Sequence, residues 1–345
     1  MGDSSNTGNS RTDGTPEGPA AAATDVTVVI PVFNGARYLA EVLDAVAAQQ
    51  GVGNVETLVI DSGSTDASLD LIRARPRVRL HQIPNEEFGH GRTRNLGARL
   101  ATGHTVAFLT QDATPASTGW LRELIAPLDE PGVVGVFGRQ LPRPHAFPLQ
   151  RYDIERSFAT QGPSDRTSVR VLPEGAPAGD LDRLAFYSDV NAASRRAFLV
   201  GELPYRDLPY SEDLAFARDA LTAGYSIAYA PAGAVLHSND ATIGEYRRRM
   251  FDETVGRRRS GAPVARVSGL SAVAHAGAGA LRDSVRIIRD RDYGPASTVR
   301  WLGVNPWYHL ARWRGIAAGS RIDLDDETTF ARVSLEGRRR RGSLG

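Results

Sequence analysis

The chain has 345 residues, 41% hydrophobic and 23% charged, the composition of a soluble globular protein with room for one large domain or two modest ones. Its formal net charge is +1, so no global field draws in nucleic acid, and every basic side chain is Arg. Cysteine is absent, which excludes disulfide scaffolds, thiolate zinc sites and thiol nucleophiles.

Residues 1–24 are Gly, Ser, Asn, Thr, Pro and Ala-rich and read as a disordered tail without the apolar core of a leader peptide. No stretch reaches the roughly 20 apolar residues that span a bilayer. The expected address is the cytoplasm. Order begins with the β-branched run at 26–30, typical of a buried parallel strand, which Pro31 ends. After a turn at 32–35, a helix is predicted over 37–49, with Tyr38, Leu39, Val42, Leu43 and Val46 on one face. A second strand, 56–60, ends in Asp61-Ser62-Gly63-Ser64-Thr65-Asp66, where Ser64 or Asp66 caps a helix at 67–74. A third strand lies at 78–82. The Gly-flanked cluster Phe88 to Arg94 then runs into a helix at 95–101. A strand at 105–109 delivers Thr110-Gln111-Asp112, and a helix (120–128) and a strand (133–137) follow.

This alternation predicts an α/β fold with a doubly wound, mostly parallel, Rossmann-like sheet. The polar strand ends at 31–34, 61–66 and 110–112 are expected on one rim, where open sheets bind ligands.

Past Gly138 the pattern changes. Residues 140–182, rich in Pro, Arg and Asp, read as an acceptor-side insertion with mobile loops and an amphipathic piece at 149–158. A strand is expected over 184–193 and a short helix over 195–200. Ser211 is read as the N-cap of a helix at 214–223, with Glu212 and Asp213 in its first turn. Residues 227–230 and 234–236 read as a hairpin turning at 231–233, and His237 follows. From 243 onward the chain reads helical, over 246–255, 263–290 and 301–316, with arginines again at 338–341. The expected organisation is a tail (1–24), a domain (25–260) with a nucleotide-binding half (25–138) and an acceptor-side half (139–260), a helical region (261–322) and a polar basic tail (323–345).

Several clusters carry chemistry. Asp61 at a strand end suits the imide N–H of uracil or thymine, with the Ser/Gly turn letting the ring approach; the same residues also make an ordinary capping turn. Arg92 and Arg94 at a helix mouth suit a pyrophosphate, or a solvated charged face. His90 between two glycines brings backbone and imidazole close to a ligand. Asp112 is a single carboxylate for a divalent cation; Mg2+ would add phosphate oxygens and water. His237 is a further ligand that suits Mn2+, or a structural histidine. Glu212 and Asp213 offer a general base for an acceptor hydroxyl, or complement the helix dipole. Trp301, Trp307, Tyr308 and Trp313 interleaved with Arg300, Arg312 and Arg314 suit a membrane surface. The same composition also suits packing back on the domain, or nucleic acid.

Together these segments resemble the family 2 glycosyltransferases with the GT-A fold, over roughly residues 26–260. The resemblance rests on Thr27-Val-Val-Ile-Pro-Val-Phe-Asn34, Val59-Ile-Asp-Ser-Gly-Ser-Thr-Asp66, Gln111-Asp112 and Ser211-Glu-Asp213. A narrower likeness, to bacterial rhamnosyltransferases of that family, rests on Phe88-Gly-His-Gly-Arg-Thr-Arg-Asn-Leu-Gly97, Phe108-Leu-Thr-Gln-Asp-Ala113 and Gly135-Val-Phe-Gly-Arg-Gln-Leu-Pro142. It also rests on Tyr187-Ser-Asp-Val-Asn191 and Trp307-Tyr-His-Leu-Ala311.

The resemblance implies an inverting transferase moving L-rhamnose from a dTDP-sugar to a glycan or lipid-linked acceptor, at the cytoplasmic membrane face. By it, Pro31, Val32, Phe33, Asn34, Asp61, Ser64, Arg94, Gln111 and Asp112 would hold the nucleotide. Asp112 and His237 would hold a divalent cation, Mg2+ or Mn2+. Asp213 would be the base, and His90, Arg139, Asn191 and Glu212 would face the sugars or the acceptor. Thr110 departs from the Asp-x-Asp of many members and leaves one metal carboxylate. The alternatives are another nucleotide hexose, UDP- or GDP-linked, as donor, or a non-catalytic nucleotide-sugar-binding module.

Overall fold

A computed structural model describes residues 26–144, 146–238 and 241–337. The expected disordered tail and the arginines at 338–341 lie outside the described residues. In chain order the elements are β1 (Val26–Val32), α1 (Ala36–Ala47), β2 (Val55–Asp61), α2 (Ser68–Arg73), β3 (Val78–Gln82), α3 (His90–Leu100), β4 (Thr105–Leu109) and β5 (Thr114–Pro115). Next come α4 (Trp120–Ile125), β6 (Val133–Pro142), α5 (Pro148–Ala159), β7 (Ser168–Arg170), α6 (Ala178–Leu184), β8 (Asn191–Arg195), α7 (Arg196–Val200), α8 (Glu212–Thr222) and β9 (Ser226–His237). Four helices close the chain: α9 (Ile243–Arg259), α10 (Gly269–Arg289), α11 (Pro295–Arg321) and α12 (Glu327–Val333).

The sheet runs β3-β2-β1-β4-β8-β6-β9-β5, with β7 also paired to β9. The pairs β3–β2, β2–β1, β1–β4 and β6–β9 are parallel, whereas β8 runs antiparallel to both β4 and β6. β5 and β7 also run antiparallel to β9, so the sheet is mixed, with most of its paired residues in the parallel pairs, and is covered on both faces, as its continuous apolar strands require. Along β1, Val26, Val28, Ile30 and Val32 enter the core shared with Leu39, Leu43 and Trp120, while Val29 enters the core on the other face with Phe108 and Tyr205. Helix α1 buries Leu39, Val42, Leu43 and Val46, the face its periodicity predicts.

Three local expectations are corrected. Residues 227–236 form no hairpin: β9 is one twelve-residue strand through Pro231. Its pairing with β6 jumps from Gly138↔Ala230 to Gln140↔Val235, so a bulge absorbs the residue that lacks an N–H. The strand expected over 184–193 begins only at Asn191, because α6 runs to Leu184 and a connecting segment follows. The stretch 140–182 also holds more structure than loops, with α5 over the expected amphipathic piece, then β7 and α6.

Helices α9, α10 and α11 stack outward from the domain. Gly315 on α11 makes the inner contact possible, since a Cβ there would lie 2.2 Å from the Arg247 carbonyl oxygen on α9. No helix among the described residues is long and apolar enough to cross a membrane.

Candidate active site

The carboxyl ends of β1, β2 and β4 open onto a cleft of about 590 Å³. Parallel pairing sets Val32 beside Asp61, so the polar strand ends share one rim. Asp61 is fully buried. Its Oδ1 accepts from the N–H groups of Gly63 and Ser64, and its Oδ2 has no partner. Asp61 and Ser64 are themselves absent from the residues that line the cleft, whereas Ser62 between them lines it.

The rim around it is self-braced. Asn34, in the left-handed region at φ 49°, donates its N–H to Ser64 Oγ, and its Oδ1 accepts from Thr65 N. Gln111 pairs its amide with the Phe33 backbone, accepting from its N–H at 2.8 Å and donating to its carbonyl at 3.1 Å. Asn34, Ser64 and Gln111 thus shape the turn, while Pro31, Val32 and Phe33 line the cleft beside it. Neither expected residue is the N-cap of α2, which is Ala67 without a side-chain bond; Asp66, one residue earlier, accepts the Ser68 N–H.

Asp112 and His237 meet where β4 and β9 end. His237 Nε2 lies 3.6 Å from Asp112 Oδ2. His237 Nδ1 lies 2.9 Å from Gln140 Oε1, and the Gln140 amide nitrogen donates to Ser188 Oγ, which fixes the amide's orientation. An amide oxygen accepts from Nδ1–H, so Nε2 is the ring nitrogen that faces Asp112. Burial works against the Asp112 charge, but His237 and the Arg249 guanidinium outweigh it and hold the carboxyl down to about 2. An ionised carboxylate beside an oriented imidazole is a donor set that fits a divalent cation. Among the described residues no group of three or more His, Cys, Asp or Glu could hold one alone, so ligand oxygens would have to complete it.

The opposite wall holds a carboxylate cluster. Ser211 precedes α8 in the left-handed region, at φ 62°, which is strained for a residue with a Cβ. It occupies the N-cap position, but its hydroxyl makes no capping bond; Asp213 Oδ1 takes the Leu214 N–H at 2.7 Å instead. Arg94 is buried among acids. Its Nη1 donates to Glu212 Oε1 at 2.6 Å, and its Nε lies 3.1 Å from Asp189 Oδ2. Tyr205 OH donates to Asp189 Oδ1 at 2.8 Å, and the Asp189 N–H faces Asp213 Oδ2 at 3.4 Å. Burial, with Glu212 adjacent, pushes Asp213 up despite Arg94; burial likewise raises Asp189 and Glu212. Arg94, expected at the nucleotide, is committed to these carboxylates.

His90 is the first residue of α3 rather than part of a loop. It lines the cleft and packs edge-on against Phe88 and Tyr210. Gly91 serves packing: a Cβ there would lie 2.1 Å from the Arg206 carbonyl oxygen. Asn191 is not brought to the cleft. It is fully buried, with Oδ1 accepting from Trp120 Nε1 and Nδ2 donating to the Gly233 carbonyl, so a sugar-facing role has no free polar atom to use. Arg139 is absent from the residues that line the cleft.

Sequence reasoning passed over one wall altogether. Glu245, Arg249, Glu253 and Arg257 recur at every fourth residue of α9 and all line the cleft. The spacing is visible in the sequence; what it faces is not. Among the described residues Arg249 makes no hydrogen bond or ion pair, and Asp112 and Glu253 balance its charge at longer range. At the far end Leu335 and Glu336 line the cleft, and both of their N–H groups point to Asp252 Oδ2, at 2.9 and 3.3 Å.

A sheet whose parallel strands β2 and β4 lead to Asp61 and Asp112, with Asp213 on the opposite wall of the cleft, is the frame of a GT-A glycosyltransferase, and residues 27–198 match the glycosyl transferase family 2 model: the chain belongs to that family. It is 32% identical to the O-antigen chain rhamnosyltransferase RfbN of Salmonella typhimurium over 237 residues, 67% of this chain and 71% of that protein. It is 30% identical to the O-antigen chain rhamnosyltransferase WbaN of Salmonella anatum over 233 residues, 66% of this chain and 71% of that one. In fold it is similar to the mannosyltransferase PcManGT of Pyrobaculum calidifontis, solved with GDP-Man and Mn2+, at a TM-score of 0.50 and 20% identity, covering 95% of this chain and 83% of that one. It is likewise similar to TarS of S. aureus, solved with UDP-GlcNAc, at 0.51 and 16%, covering 90% and 79%.

Proposed function

We propose that this protein transfers L-rhamnose from a dTDP-sugar to a hydroxyl of a glycan or lipid-linked acceptor in cell-envelope polysaccharide synthesis, inverting the anomeric centre. The observation that carries the reading is that Asp112, His237 and Asp213 line one cleft. The rhamnosyltransferase relatives support the choice of sugar.

In this reading Asp61 Oδ2 accepts the imide N–H of the base, and the Pro31–Asn34 turn walls the nucleoside. Asp112 and His237 would hold a divalent cation, which when bound offsets charge on the leaving diphosphate. Arg249 faces the same diphosphate, the role the sequence suggested for Arg94. Asp213 takes the proton of the acceptor hydroxyl as that oxygen bonds to the anomeric carbon. The carbon–oxygen bond to the diphosphate breaks, and the nucleoside diphosphate leaves. The Leu214 and Asp189 N–H groups hold Asp213 in position, Glu212 and Arg94 set the charge around it, and His90 stands at the acceptor side.

A second donor, UDP- or GDP-linked, is favoured by the nucleotide sugars bound to the two fold neighbours. Incubation with a panel of nucleotide sugars and Mn2+ or Mg2+ separates the readings. Release of dTDP from dTDP-rhamnose is expected; release only of UDP or GDP from their sugars would replace the donor. No release from any sugar would leave a binding module.

A further inference from the structure

The C-terminal aromatics suggest a membrane face on α11, but most of them turn inward. Trp301 and Tyr308 pack against Phe147 and Tyr246, and Trp313 lies against His275; Trp307 alone of these four is exposed. The exposed apolar surface lies on α10 instead. Its inward face is Ala272, Ala276, Gly279, Ala280, Asp283 and Ile287. Its outward face carries Leu270 (83% exposed), Val273 (58%), Leu281 (70%), Val285 (41%) and Ile288 (65%). At 100° per residue these five fall within one face about a third of the helix wide, with Gly277 between them.

Charge surrounds the stripe unevenly. Arg282, Arg286 and Arg289 follow one another along its flank, all exposed; Arg282 pairs with Asp283, and Arg286 pairs with Glu155 over the Tyr152 ring. Over residues 263–300 there are six arginines and three aspartates. Each aspartate is turned to an internal partner: Asp283 to His309, Asp290 to Tyr152 and Asp292 to Arg151. A bare apolar stripe flanked by exposed arginines, in a stretch where basic residues outnumber acids, is the pattern of a helix lying in a lipid interface. A second copy of the same face would bring like charges together and offers no acid to answer them.

We propose that the outward face of α10 is the surface by which this protein rests on an anionic lipid membrane. The inference takes up the membrane-face reading of the acceptor but moves the surface from α11 to α10, and it does not depend on which sugar is transferred.

The test is flotation of the full chain with vesicles of phosphatidylcholine containing phosphatidylglycerol, and with vesicles of phosphatidylcholine alone. Binding to the anionic vesicles, weakening with added salt, is expected. Leu270→Glu with Leu281→Glu should lower the partition constant at least about tenfold, because each leucine loses its apolar burial. Both side chains are exposed, so thermal stability should not change. No flotation of the parent, or equal flotation of the double variant, would overturn the proposal. So would a parent dimer that the double variant converts to monomer, which would give the stripe to a second copy. Release of nucleoside diphosphate from soluble donor, measured without vesicles, tests the transferase reading separately.

Discussion

Arg94 donates to Glu212 at 2.6 Å across 118 residues of sequence, tying α3 to the first turn of α8. Asp189 and Asp213 complete the cluster, so one guanidinium stands against three carboxylates. Removing one partner of a buried ion pair costs about 3–5 kcal/mol, because the other charge stays buried and uncompensated. Arg94→Leu should therefore lower stability by about that amount, read from the denaturation midpoint. Glu212→Gln, which keeps shape and one acceptor, should cost less and, by removing the neighbouring charge that raises Asp213, move the transfer profile to lower pH. Unchanged stability in Arg94→Leu would mean that the cluster shares a proton and has little need of the guanidinium.

The environment of Asp213 sets a pH dependence. Burial and the neighbouring Glu212 push its carboxyl up to about 7. A base must be ionised to accept a proton, so transfer should fall as pH drops below about 7, not near the ordinary aspartate value of 3.8. Asp213→Asn should abolish transfer and spare donor binding. A kcat/KM profile flat down to pH about 5 would remove Asp213 as the base.

At the metal pair, the lever is Gln140. Its oxygen faces His237 Nδ1, so Gln140→Leu should let the imidazole turn and weaken Mn2+ binding about 10- to 100-fold, the usual effect of losing such an orienting partner. Titration of Mn2+ in the presence of dTDP measures it. Asp112→Asn and His237→Ala should weaken binding further. Equal affinity in all three variants would place the cation elsewhere.

Arg249 supplies the fourth expectation. Its guanidinium has no hydrogen bond among the described residues and lines the cleft near Asp112. Arg249→Gln should weaken inorganic pyrophosphate and dTDP about 10- to 100-fold while thymidine binding is unchanged, since a charge-assisted contact is lost. Calorimetry without metal reads the arginine alone. Equal loss for thymidine would make Arg249 a structural counter-ion.

Much of the first half of the fold was legible. The β-branched runs of β1 and β2 and the amphipathic face of α1 are local patterns, and the rim followed because parallel strands end together. Asp61 and Asp112 were readable for that reason. The commitment of Arg94 to Asp189 and Glu212 was not, because it joins segments that no local period relates. Asn191, set among the sugar-facing residues by the family resemblance, is enclosed by Trp120 and Gly233, contacts that no local pattern marks. In β9, Pro231 and Gly233 signalled a turn where a bulge with β6 absorbs both. The α9 wall was visible as a four-residue spacing, but only tertiary packing shows which way that face looks.

The outward stack of α9, α11 and α10 also acts as a ruler. Packed helices sit about 8–10 Å apart axis to axis, so two such steps, about 20 Å at most, separate the α9 wall of the cleft from α10, whose far end also rests on α5. The close fit of Gly315 against α9 leaves that height little room to vary. An acceptor anchored in a bilayer beneath α10 would then have to present its hydroxyl at that height. A glycan of several sugars has that reach, whereas a single sugar on a lipid headgroup does not. Chain length, as much as sugar identity, would decide which acceptors are extended.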